Sequence, residues 1–282
     1  DEIFKQLSQN YLKFRNTCKF CLDNLVNFDP NDLVKPQDML PLDKWALTRL
    51  NDLIGKVFGW YDNYEFHSVS HAINDFCVVD LSSFYFDIIK DRLYCDEAEG
   101  LERRSAQTAL YLILDAMTRM FAPILAFTCD EVWLAMPHRA EDDARNVLFN
   151  EMVQPYTEYA LSAEEMSKWS RIVTLRSAVN GALEQARADK VIGKSLEAAV
   201  DLTVPEEDAF LAEMSEEALA DLFIVSQVTL TVGDEVKVSV KAAQGTKCGR
   251  CWKVLHSVSA VGEHEALCPR CAAVVKSLPV VE

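Results

Sequence analysis

The sequence lacks the features that mark a membrane or secreted protein. No run of about eighteen consecutive apolar residues occurs in its 282 residues, so we expect no transmembrane helix. It also lacks an initiator methionine and a signal peptide and opens directly in helix-like sequence, which predicts a fragment of a longer protein. Apart from two paired motifs near the end, the nine cysteines are scattered, with no secreted disulfide framework. A reducing compartment, the cytoplasm, is therefore expected.

The sequence is also poor in positive charge. Its 28 lysines and arginines face 44 aspartates and glutamates, and the resulting net charge of −16 argues against broad, nonspecific nucleic-acid binding. One stretch departs from this average, because residues 241–276 carry six basic residues and two acidic ones, a local net charge of +4. A local basic site at this end of the chain is therefore compatible with an acidic whole.

The first half of the chain contains a series of helical patterns. Apolar residues recur at helical spacing over residues 1–27, from Leu47 to Tyr61, and over about 67–92, 100–121 and 127–136. Long helices with one apolar face and modest loops predict an antiparallel bundle, which we place at residues 1–137. The predicted fold class is mainly α.

The region after the bundle changes character twice. Residues 138–190 are predicted to be a polar linker and one long helix, which begins at a capping box at Ser162 and runs to about Asp189. Residues 191–242 alternate apolar and polar side chains around a short acidic helix at about 206–219, which predicts a small α+β module. Within it, Gly233-Asp234 is typical of a hairpin turn between two valine-rich strands.

Residues 243–282 contain the most specific pattern in the sequence. Cys248 and Cys251 form one Cys-x-x-Cys pair, and Cys268 and Cys271 form a second after a gap of sixteen residues. Such pairs occur in tight turns that direct two thiolates at one ion, and four thiolates suit one structural, tetrahedral zinc ion. The alternatives are two unrelated pairs or disulfides. His256 and His264 lie between the pairs and are rival ligands only if a cysteine is displaced.

Several motifs resemble a known enzyme family in the order in which that family carries them. Tyr11–Thr17 resembles the Tyr-x-Lys-hydrophobic-Arg-Asn-Thr helix of class I aminoacyl-tRNA synthetases for branched aliphatic amino acids. Leu42–Leu47 and Ser83–Tyr94 are similar to the next helices of that family. Ala122–Trp133 resembles its Ala-Pro-x-x-x-Phe-x-x-Glu-x-hydrophobic-Trp signature, with one extra residue before the glutamate. The terminal cysteines and Trp252 narrow the resemblance to the zinc domain of bacterial-type isoleucyl-tRNA synthetases.

The resemblance implies a class I anticodon-binding bundle that recognises the anticodon stem-loop of isoleucine tRNA, extended by the α+β module and the zinc knuckle. The family's His-Ile-Gly-His and Lys-Met-Ser-Lys-Ser signatures are missing from the sequence. ATP binding and ligation of isoleucine are therefore expected only of the full-length enzyme, and this chain alone is expected to be inactive. The implied partners are the tRNA and the catalytic and editing domains of the same polypeptide, in a monomer that binds no membrane.

The candidate tRNA-binding residues are polar, basic or aromatic side chains near the predicted sites. They are Arg15, Asn16, Lys190, Lys194, Arg250, Trp252, Lys253 and Arg270. Arg49, on the second predicted helix, is a weaker candidate of the same kind as Arg15 and Asn16. Each motif also has a structural interpretation. Trp252 could pack on the knuckle rather than stack on an unpaired base. Arg15 and Asn16 could form a capped or paired polar edge of the bundle. Lys190 and Lys194 could complement the dipole of the long helix that ends beside Gly193. Arg250 and Arg270 could offset the negative charge of the metal-bound thiolates.

Three alternative functions are also compatible with the sequence. The first is the same region of a valyl- or leucyl-type synthetase. The second is a zinc-ribbon module that binds another protein, with no affinity for tRNA. The third is a thiol redox enzyme that uses the Cys-x-x-Cys motif of Cys18 and Cys21, although this motif lies within a helical stripe that predicts buried free thiols.

Overall fold

The computed structural model describes residues 2–261 and 264–278. It divides into two compact units. The first contains the residues up to Leu93 together with Ala98–Ser162, and the second contains Tyr94–Glu97 together with the residues from Ala163 onward. Within the described ranges, no helix combines the length and apolar character that crossing a membrane requires. The predicted division of the chain at residues 137, 190 and 242 stays a prediction.

The first unit is a helical bundle, as predicted. Its elements are α1 Glu2–Asn24, α2 Pro41–Asp62, α3 Phe66–Asp75, a π-helical segment Phe76–Tyr85, α4 Phe86–Cys95, whose last two residues are grouped with the second unit, α5 Leu101–Phe121, α6 Ala126–Ala135, and 3₁₀ turns at Val147–Phe149 and Thr157–Tyr159. Helix α5 is buried without interruption from Ser105 to Phe121. A helix buried on all sides must lie at the centre of the core.

A buried carboxylate beside α5 is satisfied by hydrogen bonds from three side chains. Asp43 at the start of α2 is fully buried and accepts hydrogen bonds from Ser105, Tyr85 and both terminal nitrogens of Arg92. These donors replace the hydrogen bonds to water that the carboxylate loses on burial. This network joins α2, α4 and α5.

The predicted helix at 67–92 is continuous but changes its winding. The hydroxyls of Ser82 and Ser83 donate to the carbonyls of Cys77 and Val78, five residues earlier, at 2.7 and 2.6 Å. The π-helical turns lie between α3 and α4, and the predicted apolar stripe remains buried along all three segments. Helical periodicity in the sequence therefore located the element but not its wider turns.

The second unit begins with α7 Ala163–Ala188, which ends one residue before the predicted limit. Its remaining elements are a 3₁₀ turn Ser195–Glu197, β1 Ala198–Val204, a 3₁₀ helix Glu206–Glu213, α8 Glu216–Phe223, β2 Gln227–Val232, β3 Lys237–Ala242, β4 Thr246–Lys247, β5 Val254–Leu255, β6 Ser259–Val261, β7 His264–Leu267 and α9 Pro269–Ser277. The single acidic helix predicted at 206–219 is wrong. The 3₁₀ helix ends at Glu213, and α8 begins after Ser215. The hydroxyl of Ser215 accepts a hydrogen bond from the N–H of Ala218 and caps α8.

The predicted hairpin between β2 and β3 is also wrong. The strand order is β2-β1-β3, with β1 parallel to β2 and antiparallel to β3. Val200 of β1 is paired with Val228 on one side and Val240 on the other. Because β1 is the most completely buried of the three, it takes the central position, whereas the more exposed β2 and β3 form the edges.

Candidate metal centre and nucleic-acid interface

The first cysteine pair lies in the turn that joins β4 to β5. These two short strands pair antiparallel, and beyond them the N–H of Cys248 donates to the carbonyl of Lys253 at 2.8 Å. The N–H of Trp252 returns to the carbonyl of Cys248 at 3.0 Å. The turn places the thiols of Cys248 and Cys251 on its inner side, where both are buried.

The second pair lies at the start of α9. Cys268 precedes Pro269, the first residue of the helix, and Cys271 lies in the first helical turn. Proline is favoured at this position because its fixed φ fits the helix and no N–H is lost from the hydrogen-bonding pattern. The N–H of Gly249 donates to the carbonyl of Ala266 at 3.0 Å, which joins the two halves of the knuckle.

The four sulfur atoms form one compact group. All four lie within 4.8 Å of one another, and those of Cys251 and Cys268 are 3.9 Å apart. A tetrahedral zinc ion with Zn–S bonds of about 2.3 Å requires sulfur separations of about 3.8 Å. The four cysteines therefore fit zinc, and they form a zinc-finger metal site. No histidine belongs to this group among the residues described, and His256 is exposed. The side chain of the other rival, His264, lies outside the described residues.

The thiols of the knuckle have unequal proton affinities. Burial opposes ionisation of Cys248, but hydrogen bonds from the backbone N–H groups of Cys268, Cys251 and Arg250 outweigh it and lower the pKa of this thiol to about 6. Burial raises the pKa of Cys251 and Cys271 above the ordinary value. A bound zinc ion supplies the positive charge that keeps all four as thiolates.

Trp252 is an exposed aromatic residue beside this metal site. Its backbone lies in the left-handed region, with φ of 65°, and the residue is 57% exposed. The amine of Lys194 lies 5.8 Å from the centre of its ring. This distance is within the range of a cation–π interaction, so the second unit presents a cation and an aromatic ring together.

The turn that carries Lys194 contains further polar and basic groups. Lys190 is exposed and has a φ of 60°, which ends the long helix α7. The N–H groups of Gly193 and Lys194 both donate to one carboxylate oxygen of Glu197, at 2.9 and 3.1 Å. These bonds lower the pKa of Glu197. Lys190 and Gly193 also line a cleft of about 570 Å³ whose other basic residue is Arg187.

Three of the predicted tRNA-binding residues are engaged within the second unit. Lys253 is buried and forms an ion pair with Asp221. Arg250 and Arg270 are half-buried and contact the segment Tyr94–Glu97. Their assignment to tRNA stays a prediction, but their charges already have intramolecular partners.

The other predicted residues lie on the first unit. Arg15 and Asn16 are exposed on α1, on the opposite side from the buried Phe14 and Thr17. Arg49, a weaker candidate, forms an ion pair with Asp80 at 2.9 Å. Of these three residues, Arg15 and Asn16 are exposed, whereas Arg49 is half-buried.

Sequence analysis did not select Lys247 or Arg187 as site residues. Lys247 on β4 is exposed, and its charge contributes to the lowered pKa of Glu197. Arg187 donates to Glu184 and Ser195. The local positive charge of residues 241–276 could have identified Lys247 as a site residue. The position of Arg187 depends on the fold of the turn after α7.

The third Cys-x-x-Cys motif is not a redox site. Cys18 and Cys21 are both buried in α1, and burial raises the pKa of both thiols well above the ordinary value. A reactive cysteine requires a lowered pKa and access to solvent. These thiols therefore belong to the bundle core, as predicted.

Comparison with known families assigns both parts of the chain. The anticodon-binding domain of tRNA ligases matches residues 43–202, more than half of the chain. The chain belongs to this family. A second family, described as a zinc finger found in FPG and IleRS, matches residues 245–274 and contains all four cysteines.

Individual relatives agree with this assignment. The chain is 45% identical to an isoleucine–tRNA ligase of Syntrophotalea carbinolica and 43% identical to one of Geobacter sulfurreducens, with 98% of the chain covered in each case. It is 46% identical to an isoleucine–tRNA ligase of Desulforamulus reducens over 97% of the chain. The chain spans only 30–31% of the length of these relatives.

Proposed function

We propose that the chain binds the anticodon stem-loop of isoleucine tRNA, as a region of an isoleucine–tRNA ligase. The observation that carries this proposal is the combination of its two families. One is the anticodon-binding domain of tRNA ligases, and the other is a zinc finger found in FPG and IleRS. An isoleucyl enzyme satisfies both descriptions, whereas a valyl or leucyl enzyme satisfies only the first.

The exposed ring of Trp252 supports a contact with an unpaired base. Bases of an anticodon loop are single-stranded, and proteins commonly bind them by stacking on aromatic side chains. Lys194 lies beside the same ring and can neutralise a phosphate of the stacked nucleotide. In this proposal Trp252 provides the stacking surface and Lys194 holds the backbone of the RNA.

The basic residues near Trp252 differ in how exposed they are. Lys190, Lys194 and Lys247 are exposed, whereas Lys253 is buried in an ion pair. The exposed lysines are therefore the first candidates for direct phosphate contacts. Arg250, Lys253 and Arg270 contribute mainly through the local positive field, because their nearest partners are within the protein. On the first unit, Arg15 and Asn16 are available for the anticodon stem-loop.

The role of this region in the reaction is positional. We propose that it selects the tRNA and holds it so that the acceptor end reaches active sites on other domains of the full-length enzyme, where isoleucine is ligated with ATP. Binding energy released far from the reacting atoms can orient them and lower the barrier. When bound, zinc stabilises the fold of the knuckle, and it takes no part in the chemistry. We further propose that the protein acts in the cytoplasm as a monomer.

The proposal is tested by measuring the affinity of the zinc-loaded chain for a panel of intact tRNAs. Isoleucine tRNA should bind more tightly than valine or leucine tRNA, and the affinity should fall with increasing salt as phosphate contacts release counterions. Preference for valine or leucine tRNA would reassign the enzyme. Absence of binding to every tRNA at low salt would instead favour a protein-interaction module.

A further inference from the structure

The two arginines of the zinc knuckle contact one short segment that lies far from them in sequence. This segment, Tyr94–Glu97, contains the end of α4 and the residues after it, and it belongs to the second unit. The guanidinium of Arg250 donates to the backbone carbonyls of Cys95 and Tyr94, the latter at 3.2 Å. Arg250 therefore binds carbonyls at the C-terminus of a helix, where the dipole favours a cation.

The contact between Arg250 and Cys95 is reciprocal. The thiol of Cys95 lies 3.9 Å from the carbonyl oxygen of Arg250 and can donate a weak hydrogen bond to it. Cys95 is only 7% exposed and packs in one buried cluster with the four metal-binding cysteines. It is thus a part of the knuckle's interior without being one of its ligands.

Arg270 forms a second contact with the same segment. Its guanidinium pairs with the carboxylate of Asp96 at 3.0 Å, and both side chains are less than one-third exposed. Arg250 and Arg270 occupy equivalent positions, because each lies between the two cysteines of its Cys-x-x-Cys pair. Each cysteine pair therefore provides one arginine that contacts the segment.

The same arginine links the segment to the metal site. A terminal nitrogen of Arg250 lies 3.9 Å from the sulfur of Cys271. Zinc bound by four thiolates carries a formal charge of −2, so a neighbouring guanidinium stabilises the loaded centre. The position of Arg250 depends on the turn that Cys248 and Cys251 form around the ion.

We infer that Arg250 and Arg270 are positioning residues that hold the Tyr94–Glu97 segment against the zinc knuckle, and that this hold depends on bound metal. Small zinc modules lose their fold without the ion, because metal binding and folding are coupled. Loss of the metal would therefore release both arginines and expose the segment. This inference is independent of tRNA binding and would stand if the chain bound no RNA.

Cys95 provides a built-in probe for this inference. The full chain is exposed to iodoacetamide with zinc bound and after chelation, and the labelling rate of each cysteine is measured by peptide mass mapping. Cys95 should be labelled roughly tenfold faster or more after chelation, because at least one charge-assisted hydrogen bond and its packing are lost. Cys18 and Cys21 should remain protected in both states and serve as internal controls. Equal labelling of Cys95 in the two states would overturn the inference.

Variants separate the arginine contacts from the metal itself. Arg250→Ala should increase the labelling rate of Cys95 roughly tenfold while zinc is retained, and Arg145→Ala, an exposed arginine of the first unit, should leave it unchanged. The second variant is Asp96→Asn, which removes the carboxylate charge that pairs with Arg270 and leaves the sequence of the zinc knuckle unchanged. If Asp96→Asn and a metal-loaded Arg250→Ala both leave Cys95 as protected as in the parent chain, the arginines do not hold the segment.

Discussion

The chain uses the Cys-x-x-Cys motif in two contrasting environments. In α1, Cys18 and Cys21 lie one helical turn apart and face the apolar core, where burial raises the pKa of both thiols. In the knuckle, backbone N–H groups lower the pKa of Cys248 to about 6, whereas burial raises the pKa of Cys251 and Cys271. The same spacing therefore produces inert core residues within a long helix and metal ligands in a turn and at the start of a helix. The backbone, rather than the motif, determines the chemistry.

The largest effect is expected when one metal ligand is removed. Cys268→Ser, or chelation, should unfold the terminal module, because the apparent binding free energy of structural zinc is on the order of 10 kcal/mol and is coupled to folding. The helical signal of the bundle should persist. Protease resistance of residues 245–275 and zinc content measure the outcome. Cys21→Ser provides the matched control and should retain zinc, and a knuckle that stays resistant without metal would contradict the account.

Thiol reactivity provides the second comparison. Burial raises the pKa of Cys77 and Cys129 in the bundle to about 12. A shift of three units from an ordinary value near 9 lowers the thiolate fraction roughly a thousandfold at pH 8. We therefore expect these cysteines to react with iodoacetamide only after global unfolding, whereas the four knuckle cysteines should react once zinc is removed. Rapid labelling of Cys77 in the folded chain would break the contrast.

A third prediction concerns the surface beside the metal. Trp252→Ala should weaken binding of isoleucine tRNA by roughly 1–3 kcal/mol, the usual contribution of one stacked base, without releasing zinc. Lys194→Ala should weaken it less and reduce its salt dependence. Lys237→Ala, an exposed lysine of β3 paired with Glu235, is the matched control and should have little effect. The affinity and zinc content of each variant decide the result.

Arg250→Ala belongs to the same series. It should weaken tRNA binding while zinc is retained, through loss of local positive charge and of the ordered segment it contacts. If neither this variant nor Trp252→Ala changed the affinity for tRNA, the recognition surface would have to lie on the first unit.

A further effect is expected on the alkaline stability of the bundle. Below pH 9 the thiols of Cys77 and Cys129 are protonated in both the folded and unfolded chain, so they add no pH dependence. Between about pH 9 and 12 they ionise only in the unfolded chain, because their folded pKa is about 12. Each should then lower the free energy of unfolding by about 1.4 kcal/mol per pH unit. In denaturant unfolding, the free energy of unfolding of a Cys77→Ala/Cys129→Ala chain should decline less steeply above pH 9 than that of the parent chain.

Much of this architecture could be predicted from local sequence patterns. Helical periodicity located α1, α2, α5 and α7, because each buries one apolar stripe or more in a core. The spacing of the four cysteines predicted the metal site, since two tight turns suffice to assemble it. The hairpin prediction failed because alternating valines identify β2 and β3 as strands but do not specify their partners.

The contacts of the knuckle arginines could not be predicted from sequence. Arg250 lies 155 residues from Cys95, and Arg270 lies 174 residues from Asp96. No local pattern specifies pairs at such separations. The positive charge near the zinc site was visible in the sequence, but which cations are exposed and which are already paired depends on the fold.

The most direct test of the proposed function is footprinting of isoleucine tRNA by the chain with and without zinc. Nucleotides of the anticodon stem-loop should be protected, and chelation should remove the part of this protection that depends on the knuckle and Trp252. Absence of anticodon protection in the zinc-loaded state, or equal protection of valine tRNA, would show that the proposed function is wrong.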